Sequence, residues 1–414
     1  MISIGDNAKC CGCSACSHIC PQNCISMQYN NEGFLYPKIN KDKCINCRKC
    51  EKVCPFLSKN ETIETPSAFG VIAKDSEIVF NSSSGGMFSV LAEKVLSEGG
   101  CVFGCAFSES LKKVHHIKIE NVKELFMLRG SKYFQSEVQQ SFAECKEELQ
   151  KGRVVMFSGT PCQIAGLHKY LGSDYENLIL VDIICHGTPS FKLWEKYAEW
   201  LEKKHKGTIT LVNFRFKYIE LKRSEMERLQ ESHYYYKKHG EDAFFKLFLN
   251  DVGLRESCYS CKVKGTSSYA DITLGDFWGV ENLSLSLNNT MGVSLAIVHN
   301  SKGKELFDSI RNKVDYCEVD INEAIGNNRL YNTSVTRPEK RDDFYKDLSY
   351  MQWDRFFQKY TRVRLSSRFI SFILKSPIKR IWRKLLCRNG QDMEGNRFNF
   401  EYGLLVLFKS KSVE

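Results

Sequence analysis

The chain has 414 residues, a net charge of +10, 43% hydrophobic and 12% aromatic content, and nineteen cysteines. That is enough apolar surface for a folded protein of two or three domains, and it argues against a disordered or fibrous chain. No charged start followed by an apolar core and a small-residue cleavage site is readable in "MISIGDNAK", and no run approaches the ~18 apolar residues of a spanning helix, so a cytoplasmic location is expected.

In a reducing compartment nineteen cysteines read as metal ligands or redox groups rather than disulfides, and the Asn60 and Asn81 sequons read as chance matches. The first element is "CCGCSACSHICPQNC", residues 10 to 24. Its spacing is Cys10-x2-Cys13-x2-Cys16-x3-Cys20-Pro21, repeated as Cys44-x2-Cys47-x2-Cys50-x3-Cys54-Pro55. Two residues between thiols turn three of them onto one cubane, while the cysteine before proline reaches the other cluster. Cys10, Cys13, Cys16 and Cys54 are therefore expected to hold one [4Fe-4S] cluster, and Cys20, Cys44, Cys47 and Cys50 a second. Zinc would call for two pairs of thiolates rather than two runs of three with a distant fourth. Cys11 and Cys24 fall outside the repeat and read as bystanders. Residues 1 to 60 resemble two-cluster bacterial-type ferredoxins, a small α+β module that passes single electrons.

"FLSKNETIETPS" then reads as a linker. Strand patterns "AFGVIAK", "CVFGCAF", "RVVMFSG" and "LILVDIIC" alternate with helix patterns "GMFSVLAEKVLSEGG", "TPCQIAGLHKYLG" and "KLWEKYAEWLEKKHK"; "TLVNFRFK" and "GVSLAIVHN" add strands, the latter before the helix "SKGKELFDSIRNK". The alternation predicts a larger α/β domain with a largely parallel sheet. Neither a dinucleotide fingerprint nor a P-loop is present. "NSSSGGMF" places hydroxyls and two glycines at a predicted helix start, either an anion site or an ordinary start capped by serine. Cys162 and Cys185 end successive strands, and Cys258-x2-Cys261 lies in a loop. The ends of parallel strands gather ligands, so four thiols are expected at one place, for zinc, for a third cluster or for nothing.

Five segments in order, "SSSGGMFSVL" at 82 to 91, "RGSKYFQS" at 129 to 136, "SGTPCQIAGL" at 158 to 167, "DIICHG" at 182 to 187 and "CYSCKVKGTSSYADITLGDFWG" at 258 to 279, resemble the beta subunit of coenzyme F-420 hydrogenase/dehydrogenase. The resemblance implies a flavin and iron-sulfur domain, taken as residues 68 to 335, with FAD and a third [4Fe-4S] cluster on Cys162, Cys185, Cys258 and Cys261. It makes Ser84, Gly85 and Gly86 candidates for the flavin pyrophosphate and Arg129, Lys132 and Tyr133 candidates for flavin contact. Lys132 would stabilise the reduced flavin anion, and His186 is the candidate general acid. "TLGDFWG" departs from the methanogen enzymes, which leaves coenzyme F-420 a weaker expectation than FAD. Relatives include chlorophyll-pathway reductases and proteins of cell-surface polysaccharide biosynthesis. The implied function is an iron-sulfur flavoprotein oxidoreductase with a small-molecule acceptor and a redox partner, either a ferredoxin or another subunit. A non-catalytic electron-transfer subunit and a scaffold with structural clusters are the rivals.

Residues 340 to 414 read as a helical, basic tail: from Thr361 to Gly390 there are nine Lys and Arg and no Asp or Glu, interleaved with Trp382 and aliphatic residues. That pattern fits a helix on an anionic membrane surface, or one packed on the core with its charges in water. Nucleic-acid binding is not expected, since no recognised module accompanies the charge.

Overall fold

A computed structural model describes residues 7–57, 65–217, 233–280, 287, 291–361 and 402–410. The basic stretch from Arg362 to Arg388 lies outside the described residues. Among those described, no helix is long and apolar enough to cross a membrane.

The N-terminal module consists of α1 (Ala15–His18), an antiparallel hairpin of β1 (Ile25–Tyr29) and β2 (Leu35–Ile39), and α2 (Lys49–Lys52). Both helices begin one residue after a left-handed residue, Ser14 and Arg48, at the same place in each cysteine repeat. The duplicated spacing thus folds as a duplicated turn.

The sheet of the large domain has the order β12-β3-β11-β10-β7-β6-β4-β5. Its strands are β3 (Ser67–Ala73), β4 (Cys101–Phe107), β5 (Val114–Ile119), β6 (Val155–Gly159), β7 (Leu178–Ile183), β10 (Ile272–Asp276), β11 (Ser294–Val298) and β12 (Val314–Val319). Only the inner run β10-β7-β6-β4 is parallel. The outer strands β5, β11, β3 and β12 pair antiparallel, so the sheet is mixed rather than largely parallel. Alternation along the strands divides the core: Met156, Ile179 and Val181 face one layer, and Val155, Phe157, Leu178 and Leu180 face the other.

The first layer is covered by α4 (Met87–Ser97), after the short α3 (Ser76–Phe80), and by α9 (Ser301–Ser309). Residues Met87, Val90, Leu91 and Val95 supply its apolar stripe on α4. The second layer is covered by α5 (Ser141–Gln150) and α6 (Pro161–Leu171). On α6, Thr160 and Gln163 form a capping box, Pro161 takes the first turn and Gly172 ends the helix at φ +72.

A second lobe joins the three-stranded sheet β8-β13-β9 to helices α7 (Phe191–His205), α8 (Ala243–Leu249), α11 (Arg341–Tyr350) and α12 (Trp353–Thr361). Here β8 is Gly207–Lys217, β9 is His233–Lys238 and β13 is Tyr402–Ser410, and α10 (Ile321–Gly326) packs back on the large sheet. Residues 402 to 410 are therefore a central strand rather than part of a helical tail, and "TLVNFRFK" pairs with them instead of joining the large sheet.

The N-terminal module is not tethered at a distance. Phe34 is buried among the aromatic residues of the second lobe, 5.5 Å from Tyr345, a burial worth about 1.5–3 kcal/mol. Arg341 on α11 makes a bidentate pair with Glu32 at 2.7 and 2.8 Å. Phe56, expected to open a linker, is instead buried with Val53 in the layer under α6.

His116 on β5 is buried between Ser136 Oγ at 2.8 Å and Ser158 O at 3.0 Å. A carbonyl only accepts, so Nε2 carries the proton and the Ser136 hydroxyl donates to Nδ1. Burial pulls this imidazole down to about 4. The unfolded chain therefore binds one more proton between pH 4 and 6.5, and stability is lost as pH falls through that window, on the order of 3 kcal/mol in full. Wild-type Tm should fall more steeply below pH 6.5 than that of His116→Gln; parallel curves would rule the histidine out.

Candidate functional site

The Cys20, Cys44, Cys47 and Cys50 side chains line one cavity, together with Cys24. Cys24 Sγ lies 3.3 Å from Cys20 Sγ, and this contact, with burial, raises the Cys24 thiol to about 11. Cys47 and Ile45 are exposed, so this site opens at the protein surface.

Cys10, Cys13, Cys16 and Cys54 gather deeper. Burial, then the neighbouring Cys10, Cys54 and Cys50 thiols, push Cys16 up to about 12. Burial also raises Cys54, again with Cys10 and Cys50 nearby. Cys50 links the two sets, packing with Cys16 beside Cys54. Gly166 of α6 is what admits this module: a Cβ there would stand 2.7 Å from Cys13 Cβ and 2.9 Å from its sulfur.

The third cavity lies at the carboxyl ends of β6 and β7. Its walls hold Cys162, in the first turn of α6, Cys185, just past β7, and Cys258 and Cys261. The structure thus brings together all four thiols expected there. Burial drives Cys185 well up and Cys261 to about 12. Lys264 Nζ donates to Cys185 O at 2.8 Å and lines the same cavity.

Cys11 is on this wall too, and its contact with Cys162 is the leading cause that raises the Cys162 thiol. The spacing rule passed over Cys11 and Cys24, yet each shares a cavity with the expected ligands. For Cys11, adjacency to Cys10 was the available signal.

Two properties test whether these thiols fit iron-sulfur clusters. Among the described residues no three His, Cys, Asp or Glu side chains form a single-ion site. The thiols are instead spread over the walls of the two cavities. Buried thiolates are costly without a compensating cation, and the positive charge of iron supplies one. The donor sets fit [4Fe-4S] clusters.

The candidate flavin residues meet elsewhere, at the start of α4. Gly86 is its N-cap at φ +92 with no side-chain cap, so the reading of a serine-capped helix is incorrect. The serine hydroxyls have other partners: Ser83 Oγ accepts from Ser131 N at 2.8 Å, and Ser84 Oγ donates to Val293 O at 2.8 Å. A Cβ on Gly85 would lie 2.3 Å from Val71 O, so only glycine fits there. Arg129 binds Ser89 Oγ and Glu93 at 3.0 Å each. Lys132 is not a solvated surface lysine: it donates to Met127 O, Leu128 O and Arg129 O, and burial lowers it to about 8.

Two cations that sequence reasoning missed stand beside this turn. Arg215 Nη2 reaches Ser83 O at 3.2 Å and Asp276 at 2.8 Å, and its Nη1 lies 3.4 Å from the Tyr133 hydroxyl. Lys217 donates to Val79 O and Ser84 O, and burial lowers it to about 7. Both sit on β8, whose contact with this turn was not readable locally.

His186 lines the third thiol cavity, with Nε2 2.5 Å from Asp251 Oδ1 and its ring 4.8 Å from Phe248. Phe248 in turn is 5.2 Å from Tyr133. One aromatic ring thus separates the thiol cavity from the candidate flavin residues. A cleft at the β3–β12 edge, with no cysteine among its described lining, adjoins the Gly86 turn through Ala73 and Val79.

Residues 9–57 match the 4Fe-4S dicluster domain, and residues 152–324 match the C terminus of the beta subunit of coenzyme F420 hydrogenase/dehydrogenase. No curated protein matches the sequence. Among solved structures, a chain of the F420-reducing [NiFe] hydrogenase complex from Methanosarcina barkeri is similar at 15% identity and a TM-score of 0.40, over 69% of this chain and 90% of that one. The chain thus carries a 4Fe-4S dicluster domain ahead of a region similar to the C terminus of the coenzyme F420 hydrogenase/dehydrogenase beta subunit.

Proposed function

We propose that this iron-sulfur electron-transfer protein is a flavoprotein oxidoreductase subunit with three [4Fe-4S] clusters and FAD, acting between a redox partner and an organic acceptor. The observation that carries this reading is the convergence of Cys162, Cys185, Cys258 and Cys261 on one cavity, next to the Cys10 set and one ring from Tyr133. When bound, the clusters supply one-electron carriage and the flavin couples single electrons to two-electron chemistry.

The chain's own residues do the rest. Cys20, Cys44, Cys47 and Cys50 would hold the outermost cluster, whose exposed Cys47 corner offers an approach to a partner. The uncapped first turn of α4, with Arg215 and Lys217 beside it, favours a pyrophosphate. Lys132 keeps its donors on carbonyl oxygens, so its contribution is a fixed charge rather than a hydrogen bond to the ring. His186, oriented by Asp251, holds a proton at the cavity wall. Coenzyme F-420 and a polysaccharide-linked sugar are acceptors to screen.

Anaerobic purification with iron, sulfide and flavin quantitation, and EPR after dithionite, tests the proposal. About twelve irons and one flavin per chain are expected, four irons per cluster. About eight irons and no flavin would leave only the N-terminal module and defeat the reading.

A further inference from the structure

Arg255 is 1% exposed, yet among the described residues none of its partners is a carboxylate. Its Nε donates to Cys10 O at 2.8 Å, Nη2 to Leu35 O at 2.8 Å and Nη1 to Gln135 Oε1 at 3.0 Å. Nη2 also lies 3.7 Å from Cys10 Sγ, a thiol of the first set. The same side chain lines the third cavity, among Cys11, Cys162 and Cys258. The guanidinium stacks 4.2 Å from the Tyr36 ring, and a Cβ at Gly12 would stand 2.8 Å from Nη1, so the loop between Cys10 and Cys13 closes directly on the charge.

A buried guanidinium without a carboxylate is costly unless another anion faces it. The anions available on both sides are cysteine thiolates. Four thiolates around [4Fe-4S] leave a net negative assembly, and one-electron reduction adds one more negative charge. A fixed cation at hydrogen-bond range therefore favours the reduced form.

The geometry points to Arg255 as the positioning residue that sets the reduction potentials of the clusters on Cys10, Cys13, Cys16 and Cys54 and on Cys162, Cys185, Cys258 and Cys261, by placing one shared positive charge between them. The inference rests on the three-cluster reading. The outermost site of Cys20, Cys44, Cys47 and Cys50 does not touch Arg255 and serves as an internal reference.

The test is an EPR-monitored redox titration of anaerobically purified full-length protein, as wild type, Arg255→Gln and Arg255→Lys. With iron content retained, Arg255→Gln should lower the electron affinity of the two inner clusters at least about tenfold, close to 59 mV for one electron, leaving the outer cluster unmoved. Arg255→Lys, which keeps the charge, should recover at least half of that shift. Unchanged inner potentials, an equal shift of all three clusters, or iron loss in both variants would overturn the proposal, the last by making Arg255 only a clasp. Wild type with about eight irons would instead fail the three-cluster reading itself.

Discussion

Replacing Cys258 with serine is expected to remove about four of about twelve irons, one cluster's worth, while the flavin stays bound. Cys258 shares the third cavity with Cys162, Cys185 and Cys261, whereas the Ser84–Gly86 turn, Arg215 and Lys217 belong to the other face of the sheet and to β8. The two sites therefore come apart in a variant. EPR should retain the signals of the N-terminal module, and reduction of the flavin by a reduced protein partner should fall to background. A variant that keeps all its iron, or one that still reduces its flavin at the wild-type rate, would remove the third cavity from the electron path. Simultaneous loss of flavin and all iron would instead indicate a folding failure, against which Cys258→Ala in the same assay is the control for the serine hydroxyl.

The second large effect is expected at the mouth of the outermost site. Lys38, Lys41, Lys43, Lys49 and Lys52 are exposed in the segment that carries the exposed Cys47 and Ile45, with Asp42 the exposed acid among them, while Arg48 is paired with Glu51 at 2.8 Å. A predominantly basic face around a redox centre steers an acidic partner, an effect that weakens as salt rises. With an acidic ferredoxin as donor, Lys41→Glu, Lys43→Glu and Lys49→Glu together should lower the second-order rate of cluster reduction by roughly 10 to 10³-fold at low ionic strength. The difference from wild type should shrink as salt approaches ~0.5 M, where the Debye length is a few ångströms. Reduction by dithionite should not distinguish the proteins by a comparable factor, because its encounter does not depend on docking a protein face. A rate that is insensitive to both salt and charge reversal would place the partner elsewhere.

The cysteine sites divide along a physical line. In the N-terminal module the ligands are separated by two or three residues, and each three-thiol turn is closed by local backbone at Ser14 and Arg48. Such a constellation is legible from spacing. The third set spans a hundred residues, from Cys162 to Cys261, and became readable only because two of its members sit at the ends of adjacent parallel strands and two share a loop. Cys11 was passed over because the repeat has no position for it, although the left-handed Gly12 between Cys10 and Cys13 brings its thiol to the opposite cavity.

The helices α4, α6, α7 and α9 and the strands β3, β4, β6, β7, β8 and β11 lie where local periodicity puts them. Periodicity carries no partner, however. The antiparallel pairing of β11 with β10 and β3, and the insertion of β13 between β8 and β9, are contacts between distant segments. That insertion converts an expected tail into part of the core shared by Trp194, Phe214, Phe344 and Leu404. The residues that modulate the sites followed the same rule. Arg255, Arg215 and Lys217 look like any basic residues in sequence, and each gained its role from carbonyl oxygens and thiols far away along the chain. The sequence alone determined the two three-thiol turns of the N-terminal module, because ligand spacing is a local constraint on the backbone. Tertiary structure alone decided which sites are neighbours and which buried charges lie between them, because both depend on desolvation at contacts that no local pattern encodes.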